Sequence, residues 1–239
     1  MKIKHSTALV TGANRGIGRA LVSALIEQGA KRIYVCSRDN TIDENVVKNS
    51  EIIPVRLDVC DQQLIQQAAE IANDVNLLFN NAGVLDFGNL GDVSKETILR
   101  NLDVNLFGPL ALSKIFAPVI ERNGGGAIVN TLTLLSLVSM PGLAAYNISK
   151  AAAWSMSLSL RADFILRNIV IHNVFPGAVD TEMLKGVEMA KTAPLDVARA
   201  IVNGVNEDEE DIFPDPMSKE VYQHWCRDHK AVEKQFAAM

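Results

Sequence analysis

One turn constrains this chain more than any other feature. The residues Thr11-Gly12-Ala13-Asn14-Arg15-Gly16-Ile17-Gly18 follow directly on an apolar run, Thr7 to Thr11, and open a segment of helical period. Glycine permits a tight turn and a close backbone approach, while the free N–H groups and positive end of the following helix attract a phosphate. A strand before and a helix after are the context in which such a turn holds a pyrophosphate. The Gly-x3-Gly-x-Gly spacing differs from the commonest dinucleotide fingerprint, and an ordinary tight turn is the alternative.

The rest of the chain repeats the same unit. Runs rich in Val and Ile, at Thr7 to Thr11, Arg32 to Cys36, Ile52 to Leu57, Asn76 to Asn80, Ala127 to Thr131, Ile169 to Val174 and Asp211 to Phe213, alternate with helical segments. The helices are expected over Gly16 to Gln28, Asp61 to Asn73, Ser94 to Glu121, Leu143 to Arg167 and Pro194 to Val205, with only a turn after the second strand. Strand runs that are apolar throughout, separated by helices, predict an α/β fold: a doubly wound seven-stranded parallel sheet with helices on both faces. At 239 residues without a linker or repeat, the chain reads as a single domain. It divides into a cofactor half over about 1–125, a catalytic and substrate half over about 126–213 and a tail over 214–239.

Composition narrows the partners. The net charge is -5, matched by the acidic run Glu207 to Asp211, and no basic cluster suits nucleic acid or an anionic membrane. The most apolar stretch, Ile128 to Ala145, is broken by Asn130, Thr131, Thr133, Ser136, Ser139, Pro141 and Gly142, and reads as core, not as a membrane span. Cys36, Cys60 and Cys226 lack metal or disulfide spacing, so reduced thiols of a cytoplasmic chain are expected, with Cys36 and Cys60 filling core. No metal site is predicted.

The end of the second strand discriminates between nicotinamide cofactors, because an acidic residue there accepts from a ribose hydroxyl and a basic one accommodates a 2'-phosphate. Here stand Ser37 and Arg38, with Arg15 in the glycine turn as a second phosphate partner. One such charged hydrogen bond contributes about 1.5–3 kcal/mol, so NADP(H) is expected over NAD(H); the alternative is a surface pair between Arg38 and Asp39. Asp58, at the end of the third strand, is placed to accept from the adenine amino group or to act as a capping acid. Further along, Tyr146 and Lys150 stand at i and i+4 of one helix. Bringing a phenol from about 10 toward neutrality takes roughly 4 kcal/mol, which adjacent positive charge can supply. Tyr146 would then exchange a proton with a substrate oxygen. Alone, this spacing is equally that of a surface helix pair.

Taken in order, Thr11 to Gly18, Asn80-Asn81-Ala82-Gly83 and Tyr146 to Lys150 resemble the short-chain dehydrogenase/reductase family over nearly the whole chain. The resemblance implies a Rossmann fold. It also implies Asn81, Ala82 and Gly83 on the adenine-ribose side, with Val59 and Val104 among the cofactor-binding residues. Asn105 would hold a water that relays protons to Lys150, or else satisfy backbone groups. Pro176, Gly177, Val179 and Thr181 resemble the loop that holds the nicotinamide carboxamide. That family usually has a serine about thirteen residues before the tyrosine, where this chain has Thr133. A threonine hydroxyl donates the same hydrogen bond, but its methyl group restricts the rotamer. Ser136, the nearest serine, is expected beyond the strand edge.

The pocket walls are expected from Leu85 and Asp86, from Leu134 to Leu143 and from Met183 to Ala193, with Leu135 and Met183 against substrate. Their apolar character points to an uncharged, moderately hydrophobic aldehyde, ketone or alcohol. Small residues at Ala151 to Ala153 allow a close helix neighbour, and the resemblance, in which this helix lies at the subunit interface, implies a homodimer or homotetramer. The tail, with Tyr222, Trp225 and Phe236, either docks on the domain or reaches a second subunit. Two functions follow: an NADP(H)-dependent carbonyl reductase or alcohol dehydrogenase, or a catalytically weak dinucleotide-binding regulatory or partner protein.

Overall fold

The computed structural model describes residues 2–39 and 50–239, and the turn expected after the second strand falls outside them. Seven parallel strands form one sheet in the order β3-β2-β1-β4-β5-β6-β7: β1 Thr7–Thr11, β2 Arg32–Ser37, β3 Glu51–Arg56, β4 Leu77–Asn80, β5 Gly126–Thr131, β6 Ile169–Val174 and β7 Asp211–Ile212. Their continuous apolar character follows from burial on both faces. Ala8, Val10, Leu77, Phe79, Ala127 and Val129 point to a layer containing Leu21 and Leu25 of α1 (Gly16–Glu27) and Val197, Ile201 and Val205 of α6 (Pro194–Asn206). Leu9, Leu78, Ile128 and Ile171, on the alternate positions, meet Ile65 of α2 (Gln62–Ile71), Leu112, Phe116 and Ile120 of α4 (Gly108–Arg122) and Leu160 and Phe164 of α5 (Ala144–Phe164).

The helix expected as one piece over Ser94 to Glu121 is α3 (Lys95–Leu102) and α4 joined by a π-helical turn, Asp103–Phe107. Its N-terminus is capped by Ser94, whose Oγ accepts from Thr97 N at 3.1 Å. The span Lys95–Arg122 is long and apolar enough by composition to cross a membrane, yet here Leu112, Phe116, Ala117, Val119 and Ile120 pack beneath the sheet.

A row of buried asparagines ties the sheet to α5. Asn80, Asn130 and Asn173 are register partners on β4, β5 and β6. Asn80 Nδ2 donates to Asn130 Oδ1 at 2.8 Å, and Asn130 Nδ2 donates to Ser157 Oγ of α5 at 2.8 Å. Ser157 in turn donates to Asn173, whose Nδ2 reaches Asp211 Oδ1 at 3.0 Å. Hydrogen-bonding capacity in the dry interior is thereby used in a way that fixes the height of α5 on the sheet.

The tail forms two helices that the motif reading did not supply, α7 (Pro216–Arg227) and α8 (His229–Ala237). It docks on its own domain: Val232 and Phe236 are buried against Val138, with Leu135, Met140, Val221 and Trp225 around them. Cys36 fills core as expected, whereas Cys60 is exposed because the chain has already left β3 and turns at Asp58.

Candidate active site

The chain runs outward from β1 to β3 and then returns to place β4 on the other side of β1, which opens a crevice at the carboxyl ends of the strands. A cavity of 580 Å³ occupies it. The glycine turn forms one end, with Gly12 (φ +62°) and Gly16 (φ +54°) in the left-handed region that favours glycine. No side chain caps α1 at Arg15, and Gly16 and Ile17 of its first turn line the cavity together with Gly12, Asn14 and Arg15. The N–H groups there are left for an anion from the cavity. Gly18 has a different part from the one expected. It is buried and off the cavity wall, and a β-carbon there would stand 2.1 Å from Gly12 O, so it permits the helix to start against the turn.

Thr11 joins this turn to the loop after β4: its Oγ1 accepts from Asn81 N at 2.9 Å and Ala82 N at 3.0 Å, while Asn81 Nδ2 donates to Thr11 O at 3.0 Å. Asn81, Ala82, Gly83, Asp58, Val59 and Val104 all face the cavity. Asp58 lies beyond the end of β3, and its Oδ1 accepts from Cys60 N at 2.9 Å. Ser37 and Arg38 line the same region; Ser37 Oγ is buried without a partner, and Arg38 forms no ion pair among the described residues, while Asp39 accepts from Asn14 Nδ2 at 3.4 Å. An uncapped helix end, a partnerless buried hydroxyl and an arginine on one wall suit the phosphates of a dinucleotide.

Tyr146 and Lys150 sit in the first two turns of α5, both lining the cavity and 8% and 5% exposed. Lys150 Nζ donates to Thr131 O at 2.7 Å and lies 5.8 Å from the centre of the Tyr146 ring. Thr133, directly after β5, faces the phenol and also donates to Pro176 O at 3.4 Å. Burial pushes Tyr146 up to about 12, with the Thr133 hydrogen bond working in the opposite sense, and burial pushes Lys150 down to about 8. The expected lowering of the phenol by Lys150 and a nicotinamide ring is not seen in the chain by itself, where burial raises it. Spacing brings the pair together, but withdrawal from water disfavours the charged form of each. Ser136 is buried in a 3-10 turn and is not on the cavity wall, which leaves Thr133 as the hydroxyl beside Tyr146.

Asn105 is also off the wall. In the π-helical turn its Oδ1 accepts from Val84 N at 3.0 Å, and its Nδ2 donates to Val84 O and Ser149 Oγ, both at 2.9 Å. It thus holds the backbone beside Gly83 in place against α5. Pro176, Gly177, Val179 and Thr181 border the opposite side, where the Thr181 methyl would be 3.2 Å from a β-carbon on Gly16, so the two loops nearly touch.

The apolar end is lined by Leu85, Leu134, Leu135, Met140, Leu143, Met183 and Met189. Asp86 turns away from it to Arg100 and Asn101, and Val138 lies underneath, against the tail. Phe87, Met217 and Phe236 are among the lining residues not read from the sequence. Phe87 is placed by Gly88, whose N–H donates to Gly142 O at 2.8 Å. Phe236 and Met217 arrive with the tail, where Val232 and Phe236 at i and i+4 were the available signal of a helix face.

Comparison with known proteins agrees with this geometry. The family model described as short chain dehydrogenase matches residues 6–192. Carbonyl reductase [NADPH] 2 of Sus scrofa is 35% identical over 188 residues, covering 78% of this chain and 77% of its own. A 3alpha-hydroxysteroid dehydrogenase of Mediterraneibacter gnavus is 29% identical over 220 residues, covering 88% of each. Among solved structures, a short chain dehydrogenase from Burkholderia cenocepacia in complex with NADP superposes with a TM-score of 0.90 at 31% identity, covering 99% of both chains. One from Burkholderia phymatum in complex with NAD gives 0.84 at 25% identity, covering 97% of this chain and 96% of its own. An uncapped helix behind a glycine turn, a buried tyrosine and lysine on one helix face, and a family match over most of the sequence converge: the chain belongs to the short-chain dehydrogenase/reductase family of oxidoreductases.

Proposed function

We propose that the protein is a single-domain, NADP(H)-dependent carbonyl reductase or alcohol dehydrogenase acting on a moderately hydrophobic aldehyde, ketone or alcohol. The observation that carries the reading is one cavity bordered at one end by the uncapped start of α1 and at its centre by Tyr146 and the Thr133 hydroxyl. The start of α1, Ser37 and Arg38 would hold a nicotinamide dinucleotide, which would supply or accept the hydride. The Thr133 hydroxyl donates to the substrate oxygen, and the Tyr146 hydroxyl gives that oxygen its proton in reduction and removes it in oxidation. Lys150, fixed by Thr131 O, keeps a positive charge near the phenol while protonated. Asn105 acts through the backbone it holds at Val84.

Arg38 and the partnerless Ser37 hydroxyl support NADP(H), as do the NADPH in the name of the porcine relative and the NADP bound by the Burkholderia cenocepacia protein; the Burkholderia phymatum protein holds NAD. Arg38→Asp should shift the ratio of NADPH to NADH affinity by 10-fold or more, about the value of one charged hydrogen bond, and an unchanged ratio rejects the assignment. Exposed Leu99, Phe107, Ile148 and Leu158 on α3–α5 support a homo-oligomer, which light scattering tests directly. Three free thiols are consistent with a cytoplasmic setting.

The decisive experiment follows NADPH oxidation over a panel of aldehydes, ketones and diketones, with Tyr146→Phe as control. Turnover abolished by the control, with NADPH binding retained, is expected. Binding without turnover by either protein would leave the dinucleotide-binding regulator.

A further inference from the structure

The tail enters the site at two points. Asp215, which begins α7, is 1% exposed; its Oδ2 accepts from Gly177 N at 2.8 Å and its Oδ1 from Ser218 N at 2.9 Å. The contact is close enough to exclude any side chain at Gly177, since a β-carbon there would stand 2.9 Å from Asp215 Oδ1 and 3.0 Å from Met217 Sδ. The loop after β6 is thus seated directly on α7. From there α8 turns back, and Phe236, 7% exposed, packs in one cluster with Val138, Leu135 and Met140 of the segment that follows Thr133. Phe236 is also on the cavity wall.

We infer that α7 and α8 form a specificity element, in which Phe236 closes the apolar end of the substrate space and Asp215 anchors the helical pair to the loop beside the cofactor. The inference rests on the oxidoreductase reading for the word substrate. Its physical basis is independent of that reading. A phenyl ring that is packed against Val138 and Leu135 cannot swing out without exposing apolar surface, so it sets a fixed depth for whatever lies beyond the reacting carbon. In such a wall a single methylene discriminates by about 10- to 200-fold, so removal of a whole ring should change which substrates fit. The remaining lining on this side, with Met140, Met183, Met189 and Met217, is adaptable, and the rigid ring is the element that selects.

The test compares a monocyclic ketone, cyclohexanone, with a bicyclic one, 2-decalone, in wild type, Phe236→Ala and Phe236→Leu. The ratio of kcat/KM for 2-decalone to that for cyclohexanone should rise at least about 10-fold in Phe236→Ala, with Phe236→Leu intermediate and NADPH affinity unaltered in both. A ratio within twofold of wild type in both variants, or an equal loss with both ketones, overturns the proposal. If Phe236→Ala unfolds, Phe236→Leu preserves most of the α8 packing and carries the same comparison. If wild type reduces neither ketone, the oxidoreductase reading is judged by the wider carbonyl panel, and the depth of the cavity is read by binding instead. Methyl-labelled methionine spectra then give the two dissociation constants, and their ratio must move in the same direction for the inference to stand.

Discussion

Replacing Lys150 by Met tests the electrostatics of the site without cofactor or substrate. The ammonium is 5% exposed and donates to Thr131 O at 2.7 Å, and burial brings its pKa from an ordinary 10.5 to about 8. In the unfolded chain the lysine keeps its proton up to the higher value, in the folded chain only up to the lower. Between them the unfolded state binds more protons, so this group makes stability rise with pH. Below pH 8 both states are protonated and the penalty is complete, on the order of 3 kcal/mol. Methionine removes that penalty but leaves Thr131 O without its donor, at a cost of about 1–3 kcal/mol. The two nearly cancel at pH 7, which makes a single stability value uninformative. The pH dependence belongs to the ammonium alone: wild type should gain on Lys150→Met by about 1 kcal/mol from pH 7 to 9 and by roughly 2–3 kcal/mol from pH 7 to 10. Tyr146 is present in both proteins, so its own titration drops out to first order. Urea unfolding followed by circular dichroism at four pH values measures the difference. A gap that stays constant within about 0.3 kcal/mol across this range would refute the claim that burial, and not pairing, governs Lys150.

Other substitutions probe the remaining parts. Gly18→Ala would place a β-carbon 2.1 Å from Gly12 O, so a drop in stability of at least about 2 kcal/mol and weakened dinucleotide binding are expected by thermal unfolding and calorimetry; a wild-type profile would show that the turn is not packed as described. Thr133→Ser should keep or raise turnover, whereas Thr133→Val should lower kcat by about 10²–10³; a harmless valine removes this hydroxyl from the chemistry. Asn130→Ala breaks the row between Asn80 and Ser157 and should cost about 2–3 kcal/mol by denaturant unfolding, with Asn130→Leu no better, because the partners stay buried and unpaired.

How much of this was legible in the sequence depends on which physical cause acts at each residue. The glycine turn could be read because its constraint is local: only glycine relieves the left-handed φ at Gly12 and Gly16, whatever the rest of the chain does. The strands could be read because a sheet covered on both faces has no polar side to disguise: Ala8 and Val10 are buried in one layer and Leu9, between them, in the other. The π-helical turn could not be read, since Asp103–Phe107 continues the helical period and the widening accompanies bonds between Asn105 and Val84, 21 residues away. Gly18 was misassigned for the same reason: its clash is with Gly12 O and Asn81 Nδ2, contacts that exist only once the turn has closed.

The most consequential gap lies between spacing and burial. An i, i+4 interval guarantees that Tyr146 and Lys150 meet, and from a meeting alone one derives an acidified phenol. Burial is a property of the whole molecule, set by Thr133, the loop after β6 and the cavity walls, and it works against charge on both partners, taking the phenol up to about 12 and the ammonium down to about 8. At neutral pH the pair therefore rests as neutral phenol and ammonium, the protonation state that suits proton donation to a carbonyl oxygen. The reverse reaction needs the phenolate, which the Thr133 hydrogen bond supports against burial, while the neighbouring Lys150 charge is lost as pH rises through about 8. Burial thus sets the resting state of the pair, and any positive charge placed beside Tyr146 would act against it by favouring the phenolate.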